Sequence, residues 1–250
     1  MDAPFGKVCG DACFGIHYFK ETESTNDIAQ KPSYKHKDIV IADTQTKGRG
    51  QRGNSWESEP GKNLTFSMVI DPQGLPAAKQ FLLSEAISLA LSDMLESYRL
   101  HASIKWPNDI YIGDRKVAGI LIENSVIGAD ISRSVIGIGL NVNQDEFGGD
   151  LPNPVSMKMA ADREFKRDEV LTRFCNNFAR RSEQLCSGDA ERINDEYFAR
   201  LYLANTPHRF TLPDGEQFEG TIRAVSESGE LTVETADGCY RTFLFKEIIF

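Results

Sequence analysis

The sequence predicts an α+β protein, a mixed β-sheet flanked by helices with a small β unit at its C-terminal end. Three observations carry this. Strand-like and helix-like segments are intermixed without regular βαβ alternation. A glycine-rich loop joins one strand-like segment to another rather than to a helix. The final stretch, about forty residues, reads as short strands separated by tight turns.

Residues 14–20, FGIHYFK, alternate loosely and suggest a strand. In the following ETESTNDIAQK, Ser24 or Thr25 can cap a short helix with Asn26 and Asp27 in its first turn. DIVIADTQ, residues 38–45, is β-rich and reads as a buried strand entering the glycine loop. In KNLTFSMVID, residues 62–71, Leu64, Phe66, Met68 and Ile70 alternate with smaller or polar neighbours, and DPQG closes this strand with a turn. From Pro76 to Tyr98 the apolar spacing becomes that of a helix, with Pro76 suited to its first turn.

ASIKWP and DIYI are short strands about a proline break. KVAGILIENSV (116–126) and SVIGIGLNVN (134–143) are longer strands joined by the turn-rich IGADISR. Residues 167–186 and 189–203 are predicted helical. Segments 207–212, 217–225, 231–235 and 239–245 are short strands separated by PDGE, SESGE and ADG. This pattern divides the chain into a main domain over 1–205 and a C-terminal β domain over 206–250, the latter small enough to need packing support.

With 40% hydrophobic and 26% charged residues, the composition is that of an ordinary globular protein. No apolar run approaches the roughly 20 residues of a membrane-spanning helix. The start, MDAPFGKVCGDACFGIHYF, lacks a basic region followed by a long apolar core, so a cytoplasmic protein is expected. The cysteines at 9, 13, 175, 186 and 239 are odd in number and scattered, which argues against a disulfide framework. No second cysteine or histidine pair completes a zinc site with Cys9 and Cys13. A net charge of -9 gives no global attraction for nucleic acid, so local cations carry the information. Lys47, Arg49 and Arg52 cluster without an acid between 47 and 56, and Arg115 and Lys116 follow IKWPND.

TQTKGRGQRGNSW, residues 44–56, reads formally as G-x-G-x-x-G through Gly48, Gly50 and Gly53. A dinucleotide fingerprint requires the loop to open a helix, and this loop runs into a strand. Asp71, near the spacing of a ribose-binding acid, is accounted for by its D-P turn, and no Walker pattern occurs. What remains is a loop whose glycines permit close backbone approach and whose arginines suit carboxylate or phosphate. A solvent-exposed hairpin with incidental cations satisfies the same residues.

Four further segments accompany the loop in order: ESTND (23–27), IKWPNDI (104–110), KVAGILIE (116–123) and GIGLNVN (137–143). Together they resemble the biotin–protein ligases, which are grouped with the lipoyl ligases and share a fold related to class II tRNA synthetases. The resemblance spans roughly residues 18–160. It implies a class II synthetase-like sheet for the main domain and an SH3-like barrel for the C-terminal strands. It also implies ATP-dependent activation of biotin to biotinyl-5′-AMP with Mg2+, then transfer to a lysine of a biotin carboxyl carrier protein. That carrier would belong to acetyl-CoA carboxylase or a related biotin-dependent carboxylase or decarboxylase.

Carried onto this sequence, the resemblance makes Lys116, Arg49 and Asp109 the catalytic residues. Biotin would meet Ser24, Thr25, Asn26 and Gln45, then Arg49, Gly50 and Gln51 of the loop, and finally Lys116, Gly119 and Ile120. ATP would meet Arg49, Arg52, Trp56, Lys105, Asn108, Lys116 and Asn141. Asp109 could hold magnesium, orient Lys116 or assist the incoming lysine. Trp106 and Pro107 belong to packing and chain direction, and QDEFGGDLPNPVSM would form part of the adenylate-binding edge. The loop departs from the common G-R-G-R-R-G in having Gln51 for the second arginine, which removes charge from that position.

Some members carry an N-terminal helix-turn-helix. Only about twenty residues precede ESTND here, so a monofunctional enzyme without that domain or DNA binding is expected. Two other readings share the residues: a lipoate–protein ligase or octanoyltransferase, and a non-catalytic biotin- or nucleotide-binding protein on the same scaffold. Exposed sheet edges are compatible with a homodimer, which the pattern leaves open.

Overall fold

The computed structural model describes residues 5, 8–9, 13–148 and 153–250, apart from the side chains of 8, 9 and 52. In chain order the elements are β1 (Val8–Cys9), β2 (Cys13–Thr22), α1 (Thr25–Ala29), β3 (Asp38–Gln45), β4 (Leu64–Ile70), α2 (Phe81–Ser97), β5 (Ala102–Lys105), β6 (Asp109–Ile112), β7 (Arg115–Ile127) and β8 (Asp130–Leu140). There follow α3 (Met157–Ala161), α4 (Arg167–Cys186), α5 (Ala190–Ala199), β9 (Pro207–Thr211), β10 (Gln217–Val225), β11 (Leu231–Thr235) and β12 (Tyr240–Phe243).

Eight strands form one sheet in the order β1-β2-β3-β4-β8-β7-β6-β5. β2 and β3 run parallel and the other described pairs antiparallel, so the sheet is mixed as expected. Because side chains alternate faces along a strand, its two faces have different contents. Ile39 and Ile41 of β3, Phe66 and Met68 of β4, and Ile136 and Ile138 of β8 pack in the main core with α2 and α4. Val40, Val69 and Val135 point the other way, into a small cluster with Ala29 of α1. The second face is otherwise thinly covered, and the site lies there.

Several boundaries differ from the sequence pattern for local reasons. Pro76 caps a separate 3-10 turn at Ala77–Lys79, and α2 starts only at Phe81. Ser24 occupies the cap of α1, but its side chain makes no capping bond. The link between β7 and β8 is the two-residue turn Gly128–Ala129, with a register shift at Ser125/Val126 absorbing the odd residue. β8 ends at Leu140; the next residue, Asn141, donates its N–H to Val117 O and accepts from the N–H of Met157, the first residue of α3, a short helix the sequence pattern did not mark.

The C-terminal strands form an antiparallel sheet in the order β12-β11-β10-β9. The small C-terminal β unit is present, but among the described residues it is this open sheet rather than a closed barrel, with the bridge Thr211–Ile249 bringing the chain end back to β9. Its apolar side chains Phe210, Ile222, Leu231 and Val233 merge with the main core, which supplies the support so small a sheet needs. Trp106 is 3% exposed and donates its Nε1–H to Gly229 O at 2.9 Å, tying the IKWPND turn to this sheet. No described helix is long and apolar enough to cross a membrane.

Candidate active site

A strip of small and polar residues on the thinly covered sheet face makes the floor of the site. Thr65 and Ser67 of β4 alternate with core-facing Phe66 and Met68, while Gly137 and Gly139 of β8 alternate with Ile136 and Ile138. Gly119 of β7 lies opposite Gly139 in the ladder. These glycines permit close approach from above. A Cβ on Gly137 would fall 2.4 Å from Asn26 Oδ1, and one on Gly139 would fall 2.1 Å from the Trp56 ring. A cavity of about 500 Å³ opens over this floor.

One wall comes from α1 and the end of β3. Ser24, Thr25 and Asn26 are each 3% exposed. Gln45 Oε1 accepts the Thr25 backbone N–H at 2.7 Å and lies 2.9 Å from Thr25 Oγ1. Ser67 Oγ, beneath them, contacts both Thr25 Oγ1 and Asn26 Oδ1. Asn26 Nδ2 donates to Glu123 Oε2 at 2.7 Å. All these groups are short, fixed and hydrogen-bonding.

The glycine loop arches over the cavity as a strand-to-strand hairpin, which excludes the dinucleotide reading structurally as well. Trp56 N–H donates to Gly48 O at 3.0 Å and Gly50 N–H to Asn54 O at 2.7 Å, with one 3-10 turn at Gln51–Gly53 between them. A Cβ on Gly48 would strike Trp56 O at 2.3 Å, so this close approach requires glycine. Arg49 reaches back to a pair of carboxylates, with Nη2 at 2.7 Å from Asp27 Oδ1 and 3.1 Å from Glu123 Oε2. Trp56 descends from the loop onto the floor.

The cations stand on β5 and β7. Lys116 Nζ is 2.7 Å from Asp109 Oδ1 and 5.8 Å from the centre of a Trp56 ring. Its backbone is pinned by Lys116 N–H to Asn153 O at 2.8 Å and Val155 N–H to Lys116 O at 2.9 Å, so the chain beyond GLNVN braces the lysine. Lys105 Nζ contacts Tyr111 OH at 3.2 Å and lies 5.2 Å from the Phe250 ring centre. Burial lowers the Lys105 pKa from its ordinary value, while nearby Asp109 opposes the shift. A cation held this way gains most by meeting an anion.

Residues 18–141 match the model of the biotin/lipoate A/B protein ligase family. A biotin–[acetyl-CoA-carboxylase] ligase of Paracoccus denitrificans is 33% identical over 230 residues, an alignment covering 87% of this chain and 93% of that protein. The chain belongs to the biotin/lipoate protein ligase family. The bifunctional ligase/repressor BirA of Bacillus spizizenii is 28% identical over 82% of this chain, which spans 64% of that relative's length. The solved biotin protein ligase of Aquifex aeolicus, in complex with biotin and ATP, shares the fold with a TM-score of 0.79 at 24% identity, covering 94% of this chain and 97% of that one.

Most residues picked out by the family motifs converge on the cavity: Ser24, Thr25, Asn26, Gln45, Arg49, Gly50, Gln51, Trp56, Lys105, Asn108, Asp109, Lys116, Gly119 and Ile120 all line it. Three differ from the expectation in detail. Ile120 is 2% exposed and packs in the main core, so Asn108 pins its backbone carbonyl instead, with Nδ2 to Ile120 O at 2.7 Å. The space beside Gly119 is taken by Trp56 and the end of Lys116, rather than left open for a ligand. Asn141 serves as a buried joint: it is 4% exposed, donates Nδ2–H to Val155 O at 3.2 Å and is not among the residues lining the cavity. The Arg52 side chain and residues 149–152 of the expected adenylate-binding edge lie outside the described residues.

The roles carried over from the resemblance leave out Ser67, Gly137, Gly139 and Glu123, although the last three fall inside its quoted segments. Ser67 is legible, with Thr65, as one of two hydroxyls in a wholly buried strand, and the glycine pair as a period-two repeat within GIGLN. Phe245, Ile248 and Phe250 also line the cavity, and no local motif marks them, because only the return of the C-terminal sheet brings them there.

Proposed function

We propose that the chain is an ATP-dependent biotin–protein ligase. It activates biotin to biotinyl-5′-AMP with release of pyrophosphate, then transfers the biotinyl group to a lysine of a biotin carboxyl carrier protein. The observation that carries this reading is one cavity combining a wall of fixed hydrogen-bonding groups, at Thr25, Asn26 and Gln45, with cations at Arg49, Lys105 and Lys116. A ureido ring offers N–H donors to oxygens such as Thr25 Oγ1 and Gln45 Oε1. The dithiolane of lipoate offers none, which favours biotin over the lipoate ligase or octanoyltransferase reading.

In the first step a carboxylate oxygen of biotin bonds to the α-phosphorus as the bond to the β-phosphate oxygen breaks and pyrophosphate leaves. Two anions must approach, and Lys116 with Arg49 would offset their repulsion. In the second step the carrier amine attacks the acyl carbon, the bond to AMP breaks, and the amine loses a proton. Asp109 is the ion-pair partner of Lys116, so we assign it to aiming that ammonium. Among the described residues no three potential metal ligands converge, and Asp109 is the single carboxylate on the cavity. That donor set suits magnesium carried in on the ATP phosphates, where it would reduce their charge.

We assign residues 1–205 to catalysis and 206–250 to a C-terminal unit that completes the cavity through Phe245, Ile248 and Phe250. We keep the expectation of a cytoplasmic enzyme; the acidic balance argues against a DNA partner, and exposed sheet edges would admit a homodimer. A non-catalytic binder on this scaffold would have no use for the braced Lys116–Asp109 pair. Incubation with ATP, magnesium, a carrier domain and either biotin or lipoate, followed by carrier mass and pyrophosphate measurement, tests the reading. Biotin-dependent labelling is expected. Labelling by lipoate alone, or none, would overturn it.

A further inference from the structure

The relay of hydroxyls and amides beside the cavity has a direction, and that direction is imposed from outside the cavity. Asn26 Oδ1 can only accept, so its contact with Ser67 Oγ uses the Ser67 proton. The Thr25 hydroxyl proton can then serve Ser67 Oγ, at 2.7 Å, or Gln45 Oε1, at 2.9 Å, but not both. Either way Thr25 Oγ1 receives no proton from Ser67 and keeps lone-pair capacity for an incoming donor. Two hydroxyl protons serve three oxygen–oxygen contacts, and both contacts that compete for the second proton include Thr25, which lines the cavity.

This deficit exists only while Asn26 turns its Oδ1 toward Ser67. With the amide reversed, Asn26 Nδ2 would donate to Ser67, Ser67 to Thr25 and Thr25 to Gln45, and every contact would hold a proton. Glu123 opposes the reversal. Its Oε2 accepts from Asn26 Nδ2 at 2.7 Å, and from Gln30 Nε2 and Arg49 Nη2 at 3.1 Å each. A carboxylate oxygen cannot donate, so reversal would set Asn26 Oδ1 against Glu123 Oε2. Glu123 itself does not line the cavity.

We propose that Glu123 is a positioning residue for ligand recognition: by fixing the Asn26 amide it draws the Ser67 proton away from Thr25 and leaves Thr25 Oγ1 open to accept a ligand N–H. The inference rests on the biotin reading, in which a ureido N–H supplies the missing proton. Glu123 thereby favours a donor-bearing ring over one without N–H groups, although it touches neither.

The test is calorimetric titration of biotin into wild type, Glu123→Gln, Glu123→Ala, Ser67→Ala and the Glu123→Ala/Ser67→Ala double variant, with melting temperature and the ATP KM for pyrophosphate release measured alongside. Glu123→Ala is expected to weaken biotin binding about tenfold and leave the ATP KM within about twofold. Glu123→Gln, which keeps an acceptor oxygen and serves if the alanine variant does not fold, loses less. Because Ser67→Ala cuts the relay, Glu123→Ala should add little in that background. Biotin affinity unchanged in both Glu123 variants, independent losses in the double variant, or equal weakening of biotin and ATP with a lowered melting temperature would overturn the inference alone. A wild type that does not bind biotin would overturn the functional reading and this inference with it.

Discussion

Lys116 Nζ and Asp109 Oδ1 lie 2.7 Å apart, brought together by the antiparallel pairing of β6 with β7. The register shift between Ile110 and Tyr111 occurs within this pairing, so the two side chains reach the same cavity although their strands are out of simple phase. Lys116→Ala removes the cation that the proposed function sets against two anions. Biotin-dependent pyrophosphate release is expected to fall about 10²–10³-fold, the scale of losing one fixed electrostatic group. Asp109→Asn keeps the shape but not the ion pair, and a smaller loss in kcat is expected. Near-normal rates in Lys116→Ala would remove the lysine from the chemistry.

Gly137 and Gly139 test the floor. An alanine at 139 must displace the Trp56 ring, and one at 137 must displace Asn26. Each is expected to cost about 1–3 kcal/mol in urea unfolding, the range for an overpacked site. Gly137→Ala should also weaken biotin binding more than ATP binding. Wild-type stability in both variants would mean the floor has slack that the distances deny.

Arg49 is held by Asp27 and Glu123, with more than two-fifths of its side chain exposed. Exposed ion pairs of this kind contribute about 0–1 kcal/mol, so the arginine can exchange its carboxylates for a phosphate or carboxylate ligand at little cost. Arg49→Ala should leave the melting temperature nearly unchanged and increase release of biotinyl-5′-AMP into solution. Release measured by trapping the free adenylate, at the wild-type rate, would exclude the loop from retention.

Much of the fold was legible because the determining signals are local. The apolar period places β3 and α4 to the residue, and the glycine loop declares itself by running from strand to strand. The wall and the cations were legible as short motifs, whose side chains the sheet then gathers into one cavity. What stayed hidden depends on contacts between distant segments. α2 starts late because Pro76 caps a turn whose Ala77 N–H is taken by Ala129 O. Asn141 is a joint because Val155 returns to meet it. Glu123 reads as a polar residue on a long strand until α1 is packed against β8.

Glu85 predicts a pH dependence of stability unconnected with the cavity. It is 1% exposed on α2, accepts from Asn194 Nδ2 at 3.0 Å through Oε1, and has no hydrogen-bond partner for Oε2 among the described residues. Burial raises its pKa to about 7, partly offset by the Asn194 bond. An acid with a raised folded-state pKa keeps its proton in the native state after the unfolded chain has lost it. Its protonated form therefore supports folding fully below about pH 4.5, and that support declines as pH rises toward about 7. The difference corresponds to stability on the order of 3 kcal/mol at most, at about 1.4 kcal/mol per pH unit. Glu85→Gln cannot ionise and keeps an acceptor for Asn194. Urea unfolding of wild type and Glu85→Gln across this window should show the variant gaining on wild type as pH rises, with the gap closing under acid. Parallel curves would mean that Glu85 is solvated or paired in a way its burial between α2 and α5 does not allow.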